Sequence, residues 1–114
     1  MKIEETVAAY REALIRWSEI GVRDPAKANA FADDANKHGD ALARSEKGRA
    51  ALRRLLADED PYVRVFAAMD CLQWWPIEAR AVLDEASETK EPGALEARLA
   101  LRAYENGSLP WQTT

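Results

Sequence analysis

The sequence predicts an all-α fold of about six helices that pack as three antiparallel hairpins. Alanine, leucine, glutamate and arginine, which all favour helices, dominate the chain. No long run alternates apolar and polar residues, as a half-buried strand would. Most prolines and glycines fall between segments in which apolar residues recur every three or four positions, where they mark turns. We therefore expect helices joined by short connections and no sheet.

Length and composition indicate a single domain over residues 1–114, with residues 108–114 as a loose C-terminal tail. The 16 basic and 20 acidic residues leave a net charge of −4, which weighs against general nucleic-acid binding. The lone cysteine cannot form an internal disulfide. No stretch approaches the ~20 apolar residues of a membrane helix, and the first residues do not resemble a signal peptide. We expect a cytoplasmic protein.

The first helix is predicted over residues 2–20, because its apolar residues form one stripe at helical spacing. Gly21 follows this stripe and supplies a C-terminal stop. The stripe consists of Ile3, Val7, Tyr10, Leu14 and Trp17.

The second helix is predicted over residues 25–37. Asp24 is its N-cap, and Pro25 occupies the first helical position, where the missing N–H costs nothing. Gly39 is expected to end the helix, and His38 beside it to cap the C-terminus. The inward-facing residues are Ala28, Phe31, Ala32 and Ala35.

A third and a fourth helix are predicted in the middle of the chain. Ser45 is the N-cap of the third, which reaches Ala57. Asp60 and Pro61 repeat the combination of cap and proline and open the fourth, which runs to about Trp74. The core residues are Leu52, Leu55 and Leu56 on the third helix, and Val63, Ala67, Ala68 and Leu72 on the fourth.

Two further helices complete the predicted fold. Pro76 opens the fifth, and the Glu-Pro-Gly segment at 91–93 precedes the sixth. Asn106 and Gly107 end the sixth, because both tolerate the left-handed conformation. The predicted core residues are Ala79, Val82, Leu83 and Ala86 on the fifth helix, and Leu95, Leu99 and Tyr104 on the sixth.

Six paired helices form either a closed bundle or a stack of hairpins in a short right-handed solenoid, and an internal repeat favours the stack. Residues 52–72 read LRRLLADEDPYVRVFAAMDCL: a leucine-rich helix, an acidic turn, proline, Val-Arg, two alanines and leucine. A weaker copy follows at 82–104. In the first copy, Arg64 is expected to pair with an acidic group of the turn such as Asp58 or Asp60, or with one of an adjacent repeat.

This pattern resembles a HEAT repeat. The chain from Tyr10 to Leu109 resembles a family of small bacterial single-domain HEAT-like proteins of unknown function. The resemblance implies a compact HEAT-like α-solenoid with no catalytic residues to carry over. Some members of that family lie near toxin genes, which implies toxin immunity as one role for such a protein.

Residues that carry catalysis or bind metals form no recognisable motif. His38 and Cys71 are the single histidine and cysteine, and a whole helix pair separates them. Cys71 lies among apolar residues and is expected to be a buried, unreactive thiol. The carboxylates of Asp58, Glu59 and Asp60 stand at a turn before a helix, where caps and solvated charges are the usual interpretation. We expect no enzyme activity, metal site or cofactor.

Basic residues and tryptophans provide the candidate binding features. Residues 37–54 contain six basic and two acidic side chains, which form either a charged helix face or a surface for nucleic-acid phosphates. Trp74 and Trp75 are adjacent and cannot share one helix face, so they either anchor a partner or fill a gap between helix pairs. Trp111 either anchors a partner or covers an open end of the stack.

The sequence therefore favours a non-catalytic helical-repeat module that binds another protein, with toxin immunity as one form of that role. The alternative is nucleic-acid binding through residues 37–54. Neither the partner's identity nor the oligomeric state follows from the sequence. The candidate partner-binding residues are Arg49, Arg53, Trp75 and Trp111.

Overall fold

A computed structural model describes residues 2–21 and 23–112, and every regular element within these ranges is a helix, with no strand. The all-α prediction is confirmed. A short 3₁₀ turn at Leu55–Ala57 extends the third helix. The six α-helices are α1 (Ile3–Ile20), α2 (Pro25–Ala43), α3 (Glu46–Arg54), α4 (Pro61–Cys71), α5 (Pro76–Ser87) and α6 (Ala94–Glu105).

The predicted N-caps start their helices as expected. The side chain of Asp24 accepts a hydrogen bond from the backbone amide of Lys27, and that of Ser45 accepts one from Gly48. Asp60 accepts two amide hydrogen bonds at the start of α4. Each cap satisfies amides that the first helical turn leaves without partners, so these starts are encoded locally.

The predicted end of the second helix is wrong, because α2 continues through His38 and Gly39 to Ala43. A Cβ atom at position 39 would lie 2.8 Å from Oδ2 of Asp70 and 3.1 Å from Cε1 of Tyr10. Glycine is therefore present here as a close-packing residue inside a helix. His38 lies within α2 and does not cap its C-terminus.

The fourth helix ends at Cys71, three residues earlier than predicted. The backbone amides of Trp74 and Trp75 both donate to the carbonyl of Cys71, at 3.0 and 2.8 Å. Pro76 keeps Trp75 out of the helical region, because the residue before a proline avoids that conformation. Trp75 accordingly has φ −133° and ψ 64°.

One cluster of buried apolar side chains draws on all six helices. Helix α4 supplies Val63, Ala67 and Ala68, and Leu72 follows at its end, as predicted. Helix α4 contacts α1, α2, α3, α5 and α6, so it occupies the centre of the fold. Its small alanines allow that many neighbours to approach closely. None of the helices in the described part of the chain combines the length and the hydropathy of a membrane span.

The predicted core face of the sixth helix is wrong for two of its three residues. Leu95 and Leu99 are 56% and 53% exposed. The buried side of α6 consists of alanines, which bring its backbone close to its neighbours, while the leucines face outward. The buried alanines are Ala94, Ala97 and Ala100.

Consecutive helices pack against each other, and α1 and α2 form the most extensive contact. The segment after α6 lies back on that helix. Leu109 packs against the core, and the side-chain amide of Gln112 donates to the carbonyl of Tyr104 at 3.0 Å. The last two residues of the predicted tail, 113–114, lie outside the described residues.

Candidate functional site

Three of the four candidate partner-binding residues lie together, beside the turn between α4 and α5. Arg49 and Arg53 are one helical turn apart on α3, and their guanidinium groups lie over the rings of Trp74 and Trp75. Residues four apart share a helix face, so α3 presents both arginines to the same turn. We call Arg49, Arg53, Trp74, Trp75 and Glu78 the Arg–Trp surface.

The two tryptophans of this surface have different roles. Trp75 is half-buried and packs against the core, so it fixes the surface to the rest of the fold. Trp74 is 37% exposed and lies at the rim. Trp75 therefore fills space between helices, whereas part of the Trp74 ring is exposed to solvent.

Arg53 is held on both sides. Its guanidinium carbon lies 5.1 Å from the centre of the Trp75 ring, within the range of a cation–π contact. Its Nε donates to Oε2 of Glu78 at 2.9 Å, and its Nη2 donates to Oε1 of the same carboxylate. The hydrogen bond from Arg53 lowers the pKa of Glu78, and the same bond raises the pKa of Arg53. The charge of Arg53 is therefore neutralised within the chain.

Arg49 is held by the ring of Trp74 and by a backbone carbonyl. Its guanidinium carbon lies 5.4 Å from the centre of the Trp74 ring, and its Nη1 donates to the carbonyl of Ala43 at 2.9 Å. Among residues 2–21 and 23–112, no carboxylate forms an ion pair with it. Arg49 therefore keeps a net positive charge in a fixed position.

The other basic residues of α3 face elsewhere. Lys47 and Arg54 line a groove of about 470 Å³ together with the start of α1, including Lys2 and Glu4. The basic residues of α3 are thus divided between two sides of this helix and do not form one continuous strip.

Trp111, the fourth candidate, makes its ring contact on the last helix. Its ring centre lies 6.1 Å from that of Tyr104 at a tilt of 45°. The side chain is half-buried and packs against the core. Trp111 therefore packs onto the last helix.

The acidic turn before α4 connects α1 to the start of α4. Both oxygens of the Asp58 carboxylate accept hydrogen bonds from Arg11 of α1, at 2.9 and 3.1 Å. Asp58 Oδ2 also accepts from the amide of Asp60 at 3.0 Å. Partial burial works to raise the pKa of Asp58, but these hydrogen bonds outweigh it and hold the pKa below its usual range.

Arg64 contributes to the same turn in a way the sequence did not predict. Its Nη1 donates to the backbone carbonyls of Asp58 and Glu59, at 2.8 and 3.1 Å. The predicted pairing of Arg64 with a carboxylate of this turn is wrong, since Arg11 occupies Asp58 and Asp60 caps the helix. The described residues contain no group of three or more His, Cys, Asp or Glu side chains that could hold a metal ion.

Cys71 is fully buried at the end of α4, as predicted. Burial raises the pKa of its thiol to about 12, and the neighbouring Asp70 adds to the shift. The thiol is therefore protonated at neutral pH, and a protonated thiol is a poor nucleophile.

Sequence reasoning missed two members of the Arg–Trp surface, Trp74 as the exposed ring and Glu78 as the partner of Arg53. The spacing of Arg49 and Arg53 places both on one face of α3, and Pro76 places a turn after the two tryptophans. These signals are local, and the sequence does not show that α3 and this turn meet. That contact joins residues 25 positions apart.

No protein-family model and no curated protein matches the sequence. The fold is similar to the crystal structure of the protein RPA1889 from Rhodopseudomonas palustris CGA009, with a TM-score of 0.84. The two chains are 24% identical, and the alignment covers 96% of this chain and 93% of that one. This likeness supports the all-α fold and shows nothing about activity.

Proposed function

We propose that the chain is a non-catalytic helical-repeat module that binds another protein through the Arg–Trp surface. Its three hairpins stack as a short right-handed HEAT-like solenoid, and α3 and the α4–α5 turn present the contact residues. The observation that carries this proposal is the pair of arginine–tryptophan stacks placed side by side on the surface.

Arginine and tryptophan are the residue types most often found at the energetic centre of protein interfaces. Tryptophan buries a large area for few rotatable bonds, and the planar guanidinium group of arginine forms several hydrogen bonds at once. On this surface the stacks and the hydrogen bonds to Ala43 and Glu78 already restrict the two arginines. Binding through side chains that are already ordered costs less conformational entropy. The surface is thus suited to association without a large rearrangement.

Cys71 is not suited to act as a catalytic nucleophile, because its thiol is buried and protonated at neutral pH. The acidic turn is likewise occupied by structural contacts, with Asp58 bound to Arg11 and Asp60 capping α4.

Affinity purification from the native host, followed by mass spectrometry, tests the proposal. A stoichiometric partner recovered with the unaltered chain is purified, and its affinity is measured for Arg49→Ala and Trp74→Ala. Loss of an interface hot spot costs about 2 kcal/mol, so each variant is expected to weaken binding about thirtyfold. Arg16→Ala, which removes an exposed arginine paired with Glu12 on α1, is the matched control. Equal affinity for all three variants contradicts the proposal.

Toxin neutralisation is one specific form of this role, and it rests on the resemblance to HEAT-like proteins. A toxin gene beside the gene for this chain supports it. Co-expression is then expected to rescue growth of a host that expresses the toxin, and Arg49→Ala is expected to abolish the rescue. A toxin that remains lethal in the presence of the folded chain contradicts this form.

Single-stranded nucleic acid is the second candidate ligand, because the structure places aromatic rings beside arginines of the basic stretch. Bases stack on such rings, and arginines bind the phosphates. A mobility shift that weakens with salt and with removal of charge at Arg49, Arg53 and Arg54 supports this candidate. The net charge of −4 and the carboxylate of Glu78 at the same surface favour the protein partner.

A further inference from the structure

The two arginine–tryptophan pairs differ in whether a carboxylate also binds the arginine. Arg53 lies over Trp75 and binds both oxygens of Glu78. Arg49 lies over Trp74 in the same manner, and no carboxylate of the described residues pairs with it. The first pair therefore shows, within the chain, how a carboxylate binds an arginine stacked on an indole ring.

The position of the Arg49 guanidinium is already defined. Trp74 contacts its face, and the carbonyl of Ala43 accepts from Nη1 at 2.9 Å. A guanidinium group has five N–H donors in a planar fork, so one hydrogen bond to a carbonyl leaves most of them available to a ligand. This fork matches the two oxygens of a carboxylate. Because the side chain is ordered before binding, an incoming carboxylate loses less affinity to entropy.

The charge around Arg49 adds to this preference. Arg53 is neutralised by Glu78, whereas Arg49, next to the exposed ring of Trp74, has no ion pair in the described part of the chain. An acidic group with an apolar neighbour fits this combination, the first on Arg49 and the second on Trp74.

We infer that Arg49 binds a carboxylate of the protein partner in the way that Arg53 binds Glu78. The partner therefore carries an acidic side chain beside an apolar one, in a segment that crosses the rim of the Arg–Trp surface. This inference rests on the proposed function and adds the chemistry of the partner to it. A nucleic-acid strand would bring several phosphates to a surface where Glu78 already occupies Arg53, whereas a single carboxylate requires Arg49 alone.

Selection from a displayed library of random 12-residue peptides tests the inference with the full chain as bait. Parallel selections use Arg49→Gln, Arg49→Lys and the control Arg16→Gln, each checked for helical circular dichroism. The unaltered chain and the control are expected to enrich peptides with a glutamate or aspartate at a fixed distance from an apolar residue. Arg49→Gln is expected to lose that enrichment. Arg49→Lys keeps the charge and a donor for Ala43 but lacks the fork, so weakened enrichment is expected there too.

The best peptide is then resynthesised with its acidic residue changed to the corresponding amide. Each single change, Arg49→Gln or the amide, is expected to weaken binding at least tenfold. The double change is expected to weaken it little further, because both remove the same contact. Additive losses overturn the inference.

The remaining outcomes separate the inference from the proposed function. Peptides that lack acidic residues and bind through Trp74 overturn the role of Arg49 and leave the function standing. No enrichment by any bait overturns both. A dodecamer of deoxythymidine that binds the unaltered chain more tightly than any peptide, with loss on Arg49→Gln and in salt, also overturns both and favours nucleic acid.

Discussion

Two neighbouring residues of α1 bind carboxylates at opposite ends of α4, and the two contacts behave in opposite ways. Arg11 binds Asp58, just before α4 begins, at a partly exposed site. Tyr10 donates from its hydroxyl to Oδ2 of Asp70, in the last turn of α4, at 2.6 Å. Both contacts tie α1 to α4, across 47 and 60 residues of sequence.

The two contacts show under which condition burial affects the pKa of a carboxyl group more than its hydrogen-bond partner does. Burial raises the pKa of Asp70 to about 6, although the hydrogen bond from Tyr10 works against the shift, and Asp40 adds to the rise. At Asp58 the bidentate pairing with Arg11 outweighs burial and lowers the pKa. A neutral hydroxyl satisfies a buried carboxyl group without compensating its charge, whereas a guanidinium group does both. Asp58 therefore stabilises the fold when ionised, and Asp70 stabilises it when protonated.

The largest effect is expected for Gly39→Leu, which fills the space beside the Tyr10–Asp70 contact and breaks that contact. Gly39→Leu places a side chain where a Cβ atom already lies 2.8 Å from Asp70 Oδ2. We expect a loss of about 3 kcal/mol in the free energy of unfolding, from overpacking and a displaced hydrogen bond. Urea denaturation measures it. Ala30→Leu, at an exposed position of the same helix, is the control and is expected to change stability little. Equal stability of the two variants contradicts the packing role of Gly39.

The second effect is a dependence of the free energy of unfolding on pH. A folded-state pKa of about 6 for Asp70, above its unfolded value of about 4, means that the folded protein binds the extra proton. The contribution of Asp70 to stability is therefore highest below about pH 4 and falls as the pH rises to about 6. The full decrease is about 3 kcal/mol. Asp70→Asn stays neutral and is expected to remove this decrease from urea denaturation curves between pH 4 and 8.

An NMR titration measures the pKa of Asp70 directly. The side-chain carboxyl carbon of Asp70 is expected to titrate near pH 6. Tyr10→Phe removes the hydrogen bond that favours the ionised form, so the pKa is expected to rise further. An Asp70 carboxyl that titrates near pH 4 in the unaltered chain contradicts the burial argument.

The smallest effect concerns the Arg11–Asp58 contact, whose contribution to stability changes with pH in the opposite direction. The lowered pKa of Asp58 means that its contribution is present above about pH 4 and is lost as the pH falls through the folded-state pKa. Asp58→Asn is expected to cost about 1 kcal/mol at pH 7, since the pair is partly exposed. The cost is expected to disappear in acid. A double-mutant cycle with Arg11→Gln isolates the pair, and additivity of the two changes contradicts its contribution.

These contacts bear on the candidate site because the end of α4 leads directly to it. Cys71, next to Asp70, accepts hydrogen bonds from the amides of both Trp74 and Trp75. The Tyr10–Asp70 contact thus fixes the position of the turn that carries the two rings. A variant that weakens this contact is also a test of how far the Arg–Trp surface depends on the packing of α1.

The sequence predicted most of the fold and three residues of the candidate surface. Helix starts at Asp24, Ser45 and Asp60 were predictable, because a cap and its amides lie within three residues of each other. Arg49 and Arg53 were identified by charge and spacing. Glu78 was not identified, because its role depends on a contact with α3 that no local pattern encodes.

The amino-acid sequence by itself determined that the chain is helical, where four of its helices begin at a cap or a proline, and which face of α4 is buried. Those properties depend on backbone propensity, capping and apolar spacing, all of which act over a few residues. Only the tertiary structure decided that Gly39 lies inside a helix and that α6 buries alanines in place of leucines. It also decided that two arginines meet two tryptophans. These outcomes depend on how closely helices distant in sequence approach each other, and that distance is set by the packing of the whole core.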